Sequence, residues 1–169
     1  RLQLSISESG VQVLAHQFEL TAAGREAVTA AFLERAGATA QVFAPADLGS
    51  LPAIGSSVPD AVVCCPCSMS TAAHIALGAS RTLMQRAADV ALKEGRPLVV
   101  VPRETPLTAI HLRRLLELAE AGAVVLPAMP GFYSRPQTLQ DAVDHVAGKV
   151  MSALGFAHDL FPPWDGGRA

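Results

Sequence analysis

Charge and aromatic surface are both scarce in this chain. Only 17% of its 169 residues are Asp, Glu, Lys or Arg, and 5% are Phe, Trp or Tyr, with one Trp and one Tyr. The net charge of −2 offers no basic face, which excludes nonspecific nucleic-acid binding. Cysteine is nearly absent: the three present all fall in Cys64-Cys65-Pro66-Cys67. An odd number in one cluster makes no disulfide framework and points to a reducing cytoplasm. No apolar run approaches the ~18 to 20 residues a bilayer span needs. Arg1-Leu2-Gln3-Leu4 does not open like a signal peptide; it reads as a strand entered mid-chain, without an initiating Met, so the N-terminus is expected to be incomplete. What the chain has in abundance is small and aliphatic: half of it is hydrophobic. A core of Ala, Val and Leu suits helices packed closely on a sheet, and the apolar surplus points to surface buried between subunits.

The pattern alternates. Leu2 to Ile6 and Ala40 to Phe43 read as short strands, and Val11 to Phe18 as a brief helix. Thr21-Ala22-Ala23-Gly24 leads into a helix over Arg25 to Ala36, closed by Gly37. Pro45 to Pro59 is a loop rich in Gly, Ser and Pro. The continuous apolar runs Ala61 to Cys65, Pro97 to Val101 and Ala123 to Leu126 predict strands buried on both faces of a parallel sheet. Helices are expected over Ser70 to Leu77, Leu83 to Lys93, Ile110 to Glu120 (closed by Gly122) and Leu139 to Leu154 (closed by Gly155). In the third of these, Leu112, Leu115, Leu116 and Ala119 form the apolar stripe, with Arg113 paired to Glu117. The expectation is one doubly wound, Rossmann-like α/β domain over residues 1–155, a mostly parallel sheet with helices on both faces, and a Pro-rich tail over 156–169.

In such sheets ligands sit beyond the carboxyl ends of the strands. Ser7-Glu8-Ser9-Gly10 follows the first strand, and Ser68-Met69-Ser70-Thr71 follows Cys65-Pro66-Cys67. Hydroxyls and free N–H groups opening a helix suit an anion, although simple N-capping by Ser68 or Ser70 accounts for one such loop. Two loops of this kind suggest a phosphorylated ligand. Arg103 and Glu104 follow the next strand between Pro102 and Pro106. They suit phosphate binding and proton transfer, or a salt bridge between loops. Arg86 and Lys93, seven apart on one helix, complete a cationic pocket if they point toward Arg103. Tyr133 follows the last strand, as a loop anchor or a phosphate partner, and Lys149 lies on the last helix. The cysteine spacing is too tight for zinc even with His74, so the thiols read as small buried hydrophobes. His16, His111, His145 and His158 show no triad or metal spacing.

Cys65-Pro66-Cys67-Ser68, Gln85 to Glu94, Arg96 to Leu107 with His111-Leu112, and Pro127 to Tyr133 with Arg135-Pro136-Gln137-Thr138 together resemble the UbiX-type flavin prenyltransferases. The resemblance spans about residues 58–165 and is loose over the first fifty. It implies a metal-independent enzyme joining the dimethylallyl group of dimethylallyl phosphate to N5 and C6 of FMN, and a UbiD-type decarboxylase as recipient of the product. It implies a homo-oligomer, a dodecamer, with sites at subunit boundaries. By motif position Ser7, Ser68, Met69, Ser70, Thr71 and Arg103 contact FMN. Arg86, Lys93, Glu104, Tyr133 and Lys149 surround the prenyl phosphate, with Glu104 as proton donor.

Three positions depart from the family pattern. A strand, a Gly-Ala-Ser-Gly loop and a helix expected at the start are missing from the sequence. Leu48 stands where an aromatic can face the prenyl group, and Gln17, with Glu19 nearby, stands for an active-site Glu. Trp164 offers aromatic surface in the tail. An FMN-storage protein and a cysteine-decarboxylating flavoprotein are the competing classes. Loss of the N-terminal loop would favour the first. The intact set of Arg86, Lys93, Arg103, Glu104 and Tyr133 argues against it, because storage needs no second phosphate pocket, and the Pro-Arg-Glu-Thr-Pro block argues against the second.

Overall fold

Five parallel strands and six α-helices alternate along the chain in a computed structural model that describes residues 1–20 and 24–162. Thr21, Ala22, Ala23 and Trp164 lie outside the described residues. The strands are β1 (Gln3–Leu4), β2 (Gln41–Val42), β3 (Val62–Cys67), β4 (Leu98–Pro102) and β5 (Val124–Val125). The helices are α1 (Glu8–Gln17), α2 (Arg25–Arg35), α3 (Met69–Ala76), α4 (Leu83–Lys93), α5 (Ala109–Glu120) and α6 (Leu139–Ala153). The doubly wound α/β class therefore holds, as do the glycine stops: Gly37, Gly122 and Gly155 take φ of +57°, +97° and +79°, a left-handed turn that a side chain would strain.

The strands form two ladders, β1–β2 and β3–β4–β5, rather than one. β4 is central in its sheet, and all five of its residues are buried. Alternate strand side chains face opposite ways, so both faces of β4 are covered. Leu98 and Val100 belong to the main core with Cys67, Met69, Ala72, Ile75, Ala88, Leu115, Leu118 and Ala123. A smaller core of Val11, Ala15 and Val28 joins α1 to α2.

Four expectations need correction. β3 is not buried on both faces: Val63 is 39% exposed and Cys65 is exposed. The reason is position, because β3 ends its ladder and pairs with β4 alone among the described residues. β5 is likewise an end strand, with Val124 42% exposed. On α5 the inner residues are Leu115 and Leu118, whereas Ile110, Leu112 and Leu116 are more than half exposed. Apolar residues ring this helix, so spacing alone could not choose the face. Its ion pair also differs: Arg114, not Arg113, reaches Glu117, at 2.6 Å.

Candidate active site

Two helix starts lie at the carboxyl ends of strands. At α1, Ser7 is the N-cap, accepting from the Gly10 N–H at 3.0 Å. Arg25 fixes this loop by donating to the Ile6 carbonyl at 2.7 Å and pairing with Glu8 at 2.5 Å. At α3, Ser68 accepts from the Thr71 N–H at 3.2 Å and donates to the Thr71 hydroxyl at 3.1 Å. Capping thus accounts for both serine side chains, and Ser68 rather than Ser70 is the cap of α3. The two N–H groups ahead of Thr71, on Met69 and Ser70, lie in the first turn, where a helix leaves its donors without intrahelical acceptors. Met69 is 5% exposed and packs in the core, so it meets a ligand only through its backbone.

The next loop is stitched to this one. The Arg103 N–H donates to the Cys67 carbonyl at 3.4 Å, and the Ala128 N–H to the Pro102 carbonyl at 3.1 Å. The loops after β3, β4 and β5 therefore lie side by side along one edge. Arg103 and Glu104 are exposed and, among the described residues, neither is in an ion pair. Glu104 accepts from the Thr105 N–H at 3.3 Å, which orients its carboxyl without neutralising it. The loop salt bridge weighed from sequence is not formed.

Tyr133 projects from a 3-10 turn (Phe132–Ser134), and its ring meets His145 edge-on at a centroid distance of 6.1 Å. Lys149 lies on α6, its ammonium 5.5 Å above the Phe161 ring. A separate open pocket of about 490 Å³ is lined by Cys65 of β3, Val150 and Met151 of α6, and His158 and Leu160 of the tail; Ser68, Arg103, Tyr133 and Lys149 are not in its lining.

Lys93 does not join this group within one chain, whereas Arg86 stays in the first turn of α4. The Leu83 N–H at the start of α4 binds the Pro45 carbonyl, beyond the carboxyl end of β2. The helix then runs back so that Lys93 lies against Gly55, ahead of β3. Lys93 pairs with Glu94 at 2.8 Å and Arg86 with Asp89 at 2.9 Å. Five residues of β4, a rise of about 16 Å, separate the edge near Lys93 from the edge bearing Arg103. Gln17 is the last residue of α1, and Glu19 turns the chain after it with φ +58°. Leu48 is 47% exposed in the loop after β2.

The cysteines are poor ligands and nucleophiles as they stand. Burial, followed by the neighbouring Cys67 and Cys65, pushes the Cys64 thiol from 9.0 up to about 12, and burial lifts Cys67 to about 11. Among the described residues no cluster of three His, Cys, Asp or Glu could hold a metal. The groups along the carboxyl edge, by contrast, suit a phosphate ester: N–H groups of a capped helix start, and in the neighbouring loop an arginine with no ion-pair partner among the described residues.

Sequence reasoning missed the rings of His145, His158 and Phe161, which pack together beside Lys149. The available signal was glycine. A Cβ on Gly148 would fall 2.5 Å from Phe161 and 2.7 Å from His158, and one on Gly131 would fall 2.6 Å from Tyr133.

The flavoprotein family profile matches residues 3–152. The flavin prenyltransferase UbiX of Pseudomonas aeruginosa is 46% identical over 163 residues, covering 94% of this chain and 78% of that one. Its counterpart from Halalkalibacterium halodurans is 41% identical over 164 residues, covering 97% and 80%. Among solved structures, a dodecameric FMN-dependent UbiX-like decarboxylase from Escherichia coli O157:H7 superposes with a TM-score of 0.83 at 37% identity, covering 97% of this chain and 83% of that chain. AnUbiX (PadA1), in complex with FMN and dimethylallyl pyrophosphate, gives 0.84 at 35% identity over 97% and 82%. With this breadth of match, the chain belongs to the flavoprotein family, among its UbiX-type flavin prenyltransferases.

Proposed function

We propose that the protein transfers a dimethylallyl group from dimethylallyl phosphate to reduced FMN, making the prenylated flavin used by a UbiD-type decarboxylase. The observation that carries this reading is the bond from the Arg103 N–H to the Cys67 carbonyl. It ties the loop bearing Arg103 and Glu104 to the strand end that leads into the Ser68 helix start, in a chain of this family. Ser7, Ser68 and Thr71, with the N–H groups of Met69 and Ser70 and the Arg103 side chain, hold the flavin and its phosphate. The bound reduced flavin supplies the nucleophile, at N5 and C6.

The chain's own residues manage the leaving group. As the carbon–oxygen bond of the prenyl phosphate breaks, charge accumulates on the departing phosphate. Arg86, Lys93, Tyr133 and Lys149 stabilise it, and Glu104 donates a proton to it. Lys93 lies at the far edge from Glu104 in one chain, so a pocket using both draws Lys93 from a neighbouring copy in an oligomer, taken here as a dodecamer. The three free thiols fit a cytoplasmic setting.

The test is anaerobic incubation with reduced FMN and dimethylallyl phosphate, followed by mass spectrometry of the released flavin. The expected product is heavier by one prenyl unit. Glu104→Gln should lower its rate of formation by roughly a hundred- to ten-thousandfold while leaving FMN bound. Bound but unmodified FMN with the native protein would replace transfer with flavin storage.

A further inference from the structure

The face of α6 carrying His145, Gly148, Lys149 and Ser152 is covered by residues of the tail. These positions are spaced i, i+3, i+4 and i+7, so they form one stripe. Phe161 stacks on His145 with ring centroids 4.8 Å apart and planes 26° from parallel. His158 packs against Phe161 at 5.1 Å and hydrogen-bonds Ser152 at 2.9 Å. Gly148 makes the notch that admits both rings, because any Cβ there would overlap them. On its other side His145, 7% exposed, meets Tyr133 edge-on, and the bare Gly131 lets the turn approach it.

Two of the side chains assigned to the prenyl phosphate therefore depend on one aromatic ring of the tail. Lys149 lies over the Phe161 face, and Tyr133 leans on the imidazole that Phe161 stacks against. Both Tyr133 and Lys149 are exposed. An exposed lysine samples many rotamers, and ordering it when the ligand arrives weakens binding. A cation held over a ring face, and a phenol held edge-on against a fixed imidazole, have lost part of that freedom beforehand.

We propose that Phe161 and His145 are positioning residues that preset Lys149 and Tyr133 for the phosphate of the prenyl donor, making the segment over residues 156–162 a strap over the donor side of the site. This rests on the assignment of Tyr133 and Lys149 to that phosphate. FMN, bound by the α1 and α3 starts, does not depend on the strap.

The experiment compares the native chain with Phe161→Ala, Phe161→Tyr and Gly148→Ala, measuring KM for each substrate, kcat, and the calorimetric Kd of dimethylallyl phosphate for the FMN-loaded protein. Phe161→Ala should raise KM and Kd for the prenyl donor about tenfold. Its KM for FMN and kcat should stay within about twofold. Phe161→Tyr should restore native values, and Gly148→Ala should reproduce the loss by lifting the strap. Unchanged donor affinity in Phe161→Ala overturns the proposal. So does an equal loss of both substrates together with a lower Tm, which would make the ring merely structural. A native protein that binds donor without turnover sinks the transferase reading alone, since the strap is then judged by Kd. A native protein that binds no donor sinks both.

Discussion

At the residue scale, burial decides which reactive-looking groups react. Cys64-Cys65-Pro66-Cys67 is the densest run of nucleophiles in the sequence, yet burial raises all three thiols above their ordinary value. A raised thiol pKa means that folding favours the neutral form. That contribution is complete below pH 9.0 and is lost as pH rises through about 12 for Cys64. At pH 8, iodoacetamide should therefore label Cys64 and Cys67 slowly in the native protein and quickly in denaturant, as followed by intact mass. Rapid native labelling of Cys67 would contradict its burial. Glu104, the proposed proton donor, is the opposite case: it is exposed, next to Arg103 in the chain and, among the described residues, in no ion pair.

At the element scale, reciprocal caps that the sequence reading did not single out fix three helix starts. Thr82, Thr108 and Thr138 each form a reciprocal capping box, with Gln85, His111 and Asp141. In the last, the Gln137 and Thr138 N–H groups donate to the Asp141 carboxylate at 2.8 and 3.0 Å, holding its pKa below the usual value. A depressed carboxylate pKa stabilises the fold above its unfolded value, about 3.9, and that help is lost as pH falls through the folded one. Protection factors at Gln137 and Thr138, taken against the intrinsic exchange rate at each pH, should therefore fall below about pH 4. Asp141→Ala should produce the same loss of protection at neutral pH. Because α6 carries Lys149, loosening its first turn should also weaken binding of the prenyl donor.

At the scale of the whole molecule, one chain does not bring Lys93 to the carboxyl edge where the proposed site lies. Lys93 lies toward the amino edge, beyond the length of β4. If a second copy provides it, variants defective in different halves should complement. Co-assembled Lys93→Ala and Glu104→Gln chains should form more prenylated flavin than either variant alone, measured by mass spectrometry after mixed refolding. Activity no higher than that of the separate variants would place both residues in one chain's pocket. The outward Ile110, Leu112 and Leu116 of α5 offer apolar surface for such assembly.

The sequence by itself determined the element order, the glycine stops and the loops that carry chemistry. Strand periodicity, left-handed glycine turns and residues just beyond strand ends are local properties. It also determined the family, because the blocks around Ser68, Glu104 and Tyr133 are long and contiguous. Only the tertiary structure decided what depends on neighbours distant in the chain. It left β3 and β5 with an open edge, turned Leu115 and Leu118 of α5 inward while Leu112 and Leu116 face out, and separated Lys93 from Arg103. It also brought Phe161 onto His145, through a notch that exists because position 148 has no side chain. Spacing along a helix shows which residues share a face, but which face is covered depends on what packs against it.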